Sequence, residues 1–240
     1  MLEIENLHAG YGAVSVLQGI SLNVRAGETV ALLGTNGNGK STLMKCIMGL
    51  AGTRQGAITL AVDGQRVALT GKTTEQIVGL GVAMVPEGRR LFPKLTVREN
   101  LLLGAFRPGA REQIDRSLAL CYEAFPMLRG RSRQLAASMS GGQQQMLAIA
   151  RAIMSAPRLL LVDEPSVGLS PALVTQMIDT IAQMKQRFGL TVLMAEQNFH
   201  EASRIADRGY VIVHGEIAFA SRNMQELRDS DLVKRHYLGG

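Results

Sequence analysis

Tryptophan is absent from this 240-residue chain, and aromatic residues make up only 4% of it. No stretch interleaves aromatics with a basic run, the composition of single-strand nucleic-acid binders, so no nucleic-acid partner is expected. Cysteine is nearly absent too. Cys46 and Cys121 are isolated, without metal-type spacing, which excludes a disulfide scaffold and leaves two reduced thiols as the expectation. No apolar run approaches the ~18 residues of a membrane-spanning helix. The opening "MLEIENLHAGYG" has no basic stretch leading into an apolar one, so no signal peptide is expected. Nor is charge concentrated. The net charge of +6 is spread along the chain and reads chiefly as a solvated surface, although it also suits a polyphosphate ligand.

What is there is apolar and periodic. Hydrophobic residues are 46% of the chain, enough for a large core in a single α/β domain covering residues 1–240. "LEIENLHAGYG" and "GISLNV" alternate as early strands, and "ETVALLG" is a short buried strand ending in glycine. "KSTLMKCIMGL" then has helical spacing and stops at Gly49 or Gly52. "GAITLAVDGQRVAL" reads as a hairpin turning at Asp63 and Gly64, and "GVAMVPEG" as another buried strand. Strand signal disappears from about residue 90 to 156, where "TVRENLLLGA", "REQIDRSLALCYEAF" and "GGQQQMLAIARAIMSA" predict an inserted helical subdomain. Strands resume at "RLLLVDE" and "LTVLMAE", with an amphipathic helix over Pro171–Phe188 between them, and a hairpin turns near His214 and Gly215. Alternating strands and helices imply a largely parallel sheet covered by helices.

Three stretches carry chemistry. "GTNGNGKST" fits the phosphate-loop pattern at Gly34, Gly39, Lys40 and Ser41, in the strand–loop–helix context that gives the pattern meaning. Wrapping a phosphate chain requires inward-pointing backbone N–H groups, which bulky side chains would obstruct, and the following helix contributes its positive end. Lys40 would neutralise the terminal phosphates, and the Ser41 hydroxyl would ligate Mg²⁺. "LLLVDE" delivers two acids at the carboxyl end of a strand, where α/β sheets bind ligands. Asp163 would serve Mg²⁺ and Glu164 would polarise an attacking water. "MSGGQQQ" opens a helix with Ser140, Gly141, Gly142 and Gln143. An ordinary serine N-cap accounts for Ser140 taken alone, but an exposed helix start also suits a second phosphate.

"GTNGNGKST", "MSGGQ" and "LLLVDEP", in that order and spacing, resemble the ATPase subunit of ABC transporters over essentially the whole chain. The resemblance implies a P-loop α/β fold with a nucleotide-binding core, an N-terminal antiparallel β portion and an inserted helical subdomain. It implies that ATP and Mg²⁺ are held by Asn36, Gly37, Gly39, Lys40, Ser41 and Thr42, and that Tyr11 stacks on adenine. Ser140, Gly141, Gly142 and Gln143 would cap the γ-phosphate bound to a partner subunit, two subunits closing head to tail. "VPEGRRLFPKLTVRENL", "EPSVGLSP", "AEQN" and the ending "HYLGG" are similar, more narrowly, to the second, shorter ATPase of branched-chain amino acid importers. That implies permease subunits docking between Arg89 and Asn100, with Phe92 among the contacts. It also implies a second ATPase or a copy of this one, an indirectly coupled solute-binding protein, and a peripheral place on the cytoplasmic face of the inner membrane. Importers of urea or short-chain amides have similar ATPases, and soluble ABC ATPases acting on ribosomes or DNA are the competing class. A single motif set and no long coiled coil set this chain apart from the soluble relatives.

The chain departs from the family pattern at three positions. Glu87 stands where most members have the glutamine that contacts Mg²⁺ and water, Gln197 where most have histidine, and Ser170 where most have aspartate. Glu87 brings a further negative charge towards the metal. Gln197 donates a hydrogen bond but carries no proton or positive charge. Paired with a sister that has the usual histidine, such a chain would form a dimer with two unequal ATP sites.

Overall fold

The computed structural model describes residues 1–234; the "HYLGG" ending lies outside the described residues. Strands β1 (Leu2–Tyr11), β2 (Val14–Val24), β4 (Thr53–Val62) and β5 (Gln65–Ala68) form a four-stranded antiparallel sheet in the order β2-β1-β4-β5. A six-stranded sheet has the order β10-β9-β3-β8-β7-β6, built from β3 (Thr29–Leu33), β6 (Val82–Val85), β7 (Leu159–Asp163), β8 (Thr191–Glu196), β9 (Arg208–Val213) and β10 (Glu216–Ala220). All its pairings are parallel except that of the edge strand β10 with β9.

The central strands are continuous apolar runs because both faces of the larger sheet are covered. Val30 and Leu32 of β3, Leu159 and Leu161 of β7, and Leu193 and Ala195 of β8 share one core with the antiparallel sheet and the helix Lys40–Ile47. Their sequence neighbours Ala31, Leu33, Leu160, Val162, Val192 and Met194 point the other way, into a core shared with the helices Val97–Gly104, Gly141–Ile153 and Pro171–Phe188. Cys46 and Cys121 are free and buried, one in each core. Burial pushes their thiols up, to about 11 and about 12 respectively.

Both predicted hairpins turn where expected, at Asp63 and Gly64 and at His214 and Gly215. The helix Lys40–Ile47 stops at Gly49 as expected, directly after its Met48 cap. Two boundaries differ. β2 begins at Val14 rather than at Gly19, because Gly19 adopts a φ of 71° and carries the strand through an irregularity instead of starting it. "REQIDRSLALCYEAF" is not one helix: a short turn over Pro108–Arg111 breaks off and the helix restarts at Ile114 without a side-chain cap. The helices between β6 and β7 lie within Val97 to Ile153, and only the isolated bridge of Thr96 with Leu135 is strand-like there.

Candidate active site

The site forms where β3, β7 and β8 end side by side. Leu33 is level with Glu196, and Asp163 with Ala195, so the loops after these strands converge. The loop after β3 enters the helix Lys40–Ile47 through Gly39, whose φ of 100° belongs to glycine. A Cβ there would meet Leu17 Cδ2 at 2.7 Å. This helix start has no side-chain cap and no acid in its first turn, which leaves its N–H groups and positive end to a ligand. Asn38 braces the loop: its Nδ2 donates to Thr35 Oγ1 at 2.8 Å, and its Oδ1 accepts from His214 N at 2.8 Å.

A cleft of about 350 Å³ opens over this loop, lined by Val16, Asn36, Gly37, Gly39, Lys40, Ser41, Thr42, Glu87 and Glu164. Lys40 is only 3% exposed. Its Nζ donates to Gly34 O at 2.7 Å and Thr35 O at 3.0 Å, and pairs with Glu164 Oε1 at 2.9 Å. The other Glu164 oxygen accepts from Gln197 Nε2 at 2.6 Å, and the same amide donates to Asn36 Oδ1 at 2.7 Å. Both oxygens of the candidate base are therefore engaged. Glu164 itself sits at φ 46°, a conformation unusual for a non-glycine residue, with its N–H donating to Ala195 O at 3.0 Å.

Ser41 Oγ donates to Asp163 Oδ1 at 3.0 Å. Burial pushes the Asp163 carboxyl up to about 6, against the Ser41 hydrogen bond, and the negative charges of Glu164 and Glu87 push the same way, against Lys40. A hydroxyl and a carboxylate, with a second carboxylate at the cleft wall, are hard oxygen donors. They are few, as suits Mg²⁺, which keeps water and phosphate in its shell. The charge imbalance around Asp163 points the same way: the buried acid has more anionic than cationic neighbours. The donor set fits the metal.

The remaining expected residues stand apart. Tyr11 ends β1, 47% exposed and paired with Val14, and is not part of the cleft wall. Arg54 braces the adjoining turn, its Nη2 donating to Gly12 O at 2.6 Å and Val14 O at 2.9 Å. Ser140, Gly141, Gly142 and Gln143 do not line the cleft either. They start a helix by a capping box: Ser140 Oγ accepts from Gln143 N at 3.4 Å and Gln143 Oε1 from Ser140 N at 3.1 Å. Gly142 also has a packing role, since a Cβ there would meet Leu173 Cδ1 at 2.4 Å.

Sequence reasoning passed over Glu196. It is fully buried at the end of β8 and accepts hydrogen bonds from Ser166 and from the backbone of Gln197. Burial raises its carboxyl above the usual range, against hydrogen bonds from Ser166, Asn198 and Gln197. An acid closing the otherwise apolar "LTVLMAE" was the available signal.

Comparison with known proteins agrees with this geometry. The family model described as ABC transporter matches residues 17–167. The high-affinity branched-chain amino acid transport ATP-binding protein BraG of Pseudomonas aeruginosa is 42% identical over 243 residues, 100% of each chain. The probable branched-chain amino acid transport ATP-binding protein LivF of Archaeoglobus fulgidus is 36% identical over 219 residues, 91% of each chain. A solved ATP-binding subunit of an ABC transporter superposes with a TM-score of 0.81 at 29% identity, covering 100% of this chain and 96% of that one. With its phosphate loop, paired acids and helix-opening signature on the expected fold, the chain belongs to the ABC transporter family, as an ATP-hydrolysing, ATP-binding subunit.

Proposed function

We propose that this chain energises a bacterial importer of branched-chain amino acids by hydrolysing MgATP. The observation that carries the chemistry is the convergence of Lys40, Ser41 and Glu164 on one cleft at the strand ends, with Asp163 hydrogen-bonded to Ser41 and Gln197 to Glu164 behind them. The likeness to BraG and LivF over the whole fold supports the solute class.

The contacts among these residues support a division of labour. Lys40 is held against Glu164, so an incoming γ-phosphate competes with a carboxylate for the ammonium. As Lys40 turns to phosphate, Glu164 Oε1 is released and becomes a base for water. Gln197 stays bonded to Glu164 Oε2 and to Asn36, which fixes the base and offers a neutral donor near the terminal phosphate. Ser41 and Asp163, with Glu87, would hold Mg²⁺, which would supply positive charge to the phosphates. Exposed Tyr11 offers a face to adenine, and the Arg54 brace holds its turn in place. The capping box preorganises Ser140 and Gln143 for nucleotide on a second ATPase, whether a copy or a sister. Residues 1–240 form one ABC ATPase domain, with the helices of about 90–156 as its inserted subdomain.

Among the described residues no helix is long and apolar enough to cross a membrane. The transport role therefore rests on permease subunits, with the chain peripheral on their cytoplasmic face and coupled through them to a solute-binding protein. Affinity capture of the chain from gently solubilised native membranes, with partners identified by mass spectrometry, tests this. Two polytopic permeases and a second ATPase are expected. Ribosomal or DNA-bound material without membrane protein would overturn the transport role and leave the ATP site standing.

A further inference from the structure

Glu196 is a carboxylate in a place where a carboxylate is costly. It is 0% exposed, and among the described residues it enters no ion pair. Hydrogen bonds hold it instead, and they come from both sides of the active site. Oε1 accepts from Ser166 N at 3.1 Å. Oε2 accepts from Ser166 Oγ at 2.9 Å and from Gln197 N at 3.1 Å, with Asn198 N at 3.5 Å. Ser166 lies in the turn that leaves β7 behind Glu164, and Gln197 leaves β8. One buried side chain thus joins the two loops that carry the base and its glutamine partner.

The local backbone gives this clamp something to hold. Glu164 occupies φ 46°, and such strain persists only where the surroundings over-determine it. Its N–H is tied to Ala195 O, one residue before Glu196, and the turn closes with Val167 N donating to Glu164 O at 3.3 Å. Ser166, tied to Glu196, lies inside that turn.

We propose that Glu196 is a positioning residue for ATP hydrolysis: it locks the turn behind Glu164 to the backbone of Gln197 and so fixes the base against the residue facing the γ-phosphate. This rests on the reading of Glu164 as the base. Glu196 lies outside the cleft wall and acts only through these loops. The carboxylate is required because its two oxygens each receive a backbone N–H. The Ser166 hydroxyl can rotate, but the N–H groups of Ser166 and Gln197 cannot. A glutamine in its place would aim its own NH₂ at one of them and open one side of the clamp. Aspartate would keep two acceptors but withdraw them by one methylene.

The test uses the full chain within its native complex and measures hydrolysis, nucleotide affinity and amide hydrogen exchange for E196Q, E196D and E164Q. Both Glu196 variants should lower kcat by about tenfold or more, with KM and nucleotide affinity within about threefold of the parent. Exchange should rise around residues 164–170 and 196–198 and nowhere else. E196Q added to E164Q should slow hydrolysis no further, because the clamp acts through the base. E196D serves the same test if E196Q does not fold. Undiminished kcat in a folded Glu196 variant, a loss appearing in KM alone, or an equal further loss on the E164Q background would each overturn the proposal. An E164Q enzyme of normal rate would instead overturn the base assignment beneath it.

Discussion

At the scale of single residues, this site holds charge conflicts that the proposed mechanism puts to use. Lys40 pairs with Glu164 at 2.9 Å, the contact that an incoming phosphate would have to displace on the proposed mechanism. Glu164→Gln removes that competitor and the base together. It should slow hydrolysis by roughly 10²–10⁴-fold while ATP binds at least as tightly as before. Single-turnover hydrolysis and a nucleotide titration separate the two effects, and a rate within about threefold of the parent rejects the base role. Asp163 holds the second conflict, its carboxyl raised to about 6. Between the ordinary aspartate value and that raised one, the folded chain keeps a proton that the unfolded chain has released. Stability therefore falls as pH rises through this window, and the full cost is present above it. Asp163→Asn keeps an acceptor for Ser41 and removes the charge. It should stabilise the nucleotide-free chain at pH 8 on the order of 1–3 kcal/mol, with the gain vanishing below about pH 4. Thermal unfolding at both pH values checks this; an unchanged melting temperature at pH 8, or a gain that persists in acid, would count against it. The same variant should lose hydrolysis, since one group serves the ligand at the expense of the fold.

At the scale of elements, most of the fold was legible because helix and strand periods follow directly from which faces are covered. The buried runs of β3, β7 and β8 read as strands, and the pattern of Pro171–Phe188 read as a helix to its ends. Legibility stopped where tertiary contact decides. The break before Ile114 has no punctuating glycine or proline, and the strand-like bridge of Thr96 with Leu135 joins distant segments. Gly104 shows the same limit. Nothing in "TVRENLLLGA" accounts for a glycine there, and its φ is not left-handed; the glycine is needed because a Cβ would meet Arg151 O at 2.1 Å and Met154 Cβ at 2.8 Å. The helix Val97–Gly104 thus presses directly on the end of Gly141–Ile153. Gly104→Ala should force the two helices apart and cost about 1–3 kcal/mol, the usual range for overpacking. Equilibrium unfolding in denaturant measures it, and a midpoint equal to the parent's would show that the helices separate freely. In the site, the motif residues were legible because phosphate chemistry demands particular types at particular spacings. Glu196 and Asn38 were not, because their work is to hold other loops.

At the scale of the whole molecule, the question is how the nucleotide site communicates with a permease. The stretch between Arg89 and Asn100 was legible as a candidate docking surface, but not the groove it belongs to. Exposed Phe92, Leu103 and Phe106 line a groove of about 330 Å³ together with Met48, Val78 and Arg90. The rim is held rigidly. Asn100 receives Phe92 N at 3.0 Å and donates to Phe92 O at 3.0 Å, and the Arg151 guanidinium lies 5.6 Å from the Phe92 ring. Arg151 Nη2 also donates to Arg90 O at 2.8 Å, and Arg89 Nη1 to Gln144 Oε1 at 3.3 Å. Both ties lead to the helix Gly141–Ile153, whose first turn carries the signature residues. On the proposed reading, a permease segment pressed into this groove would push on the helix that meets nucleotide across the dimer. Phe92 is the exposed aromatic at the centre of that arrangement, the kind of anchor that dominates an interface. Phe92→Ala should weaken permease association by roughly 30-fold, corresponding to about 2 kcal/mol, while ATP affinity of the free chain stays unchanged because Phe92 lies outside the cleft over Lys40. Co-purification with the permease and a nucleotide titration of the isolated chain measure the two. Full retention of the permease, or a loss of nucleotide binding instead, would place docking on another face.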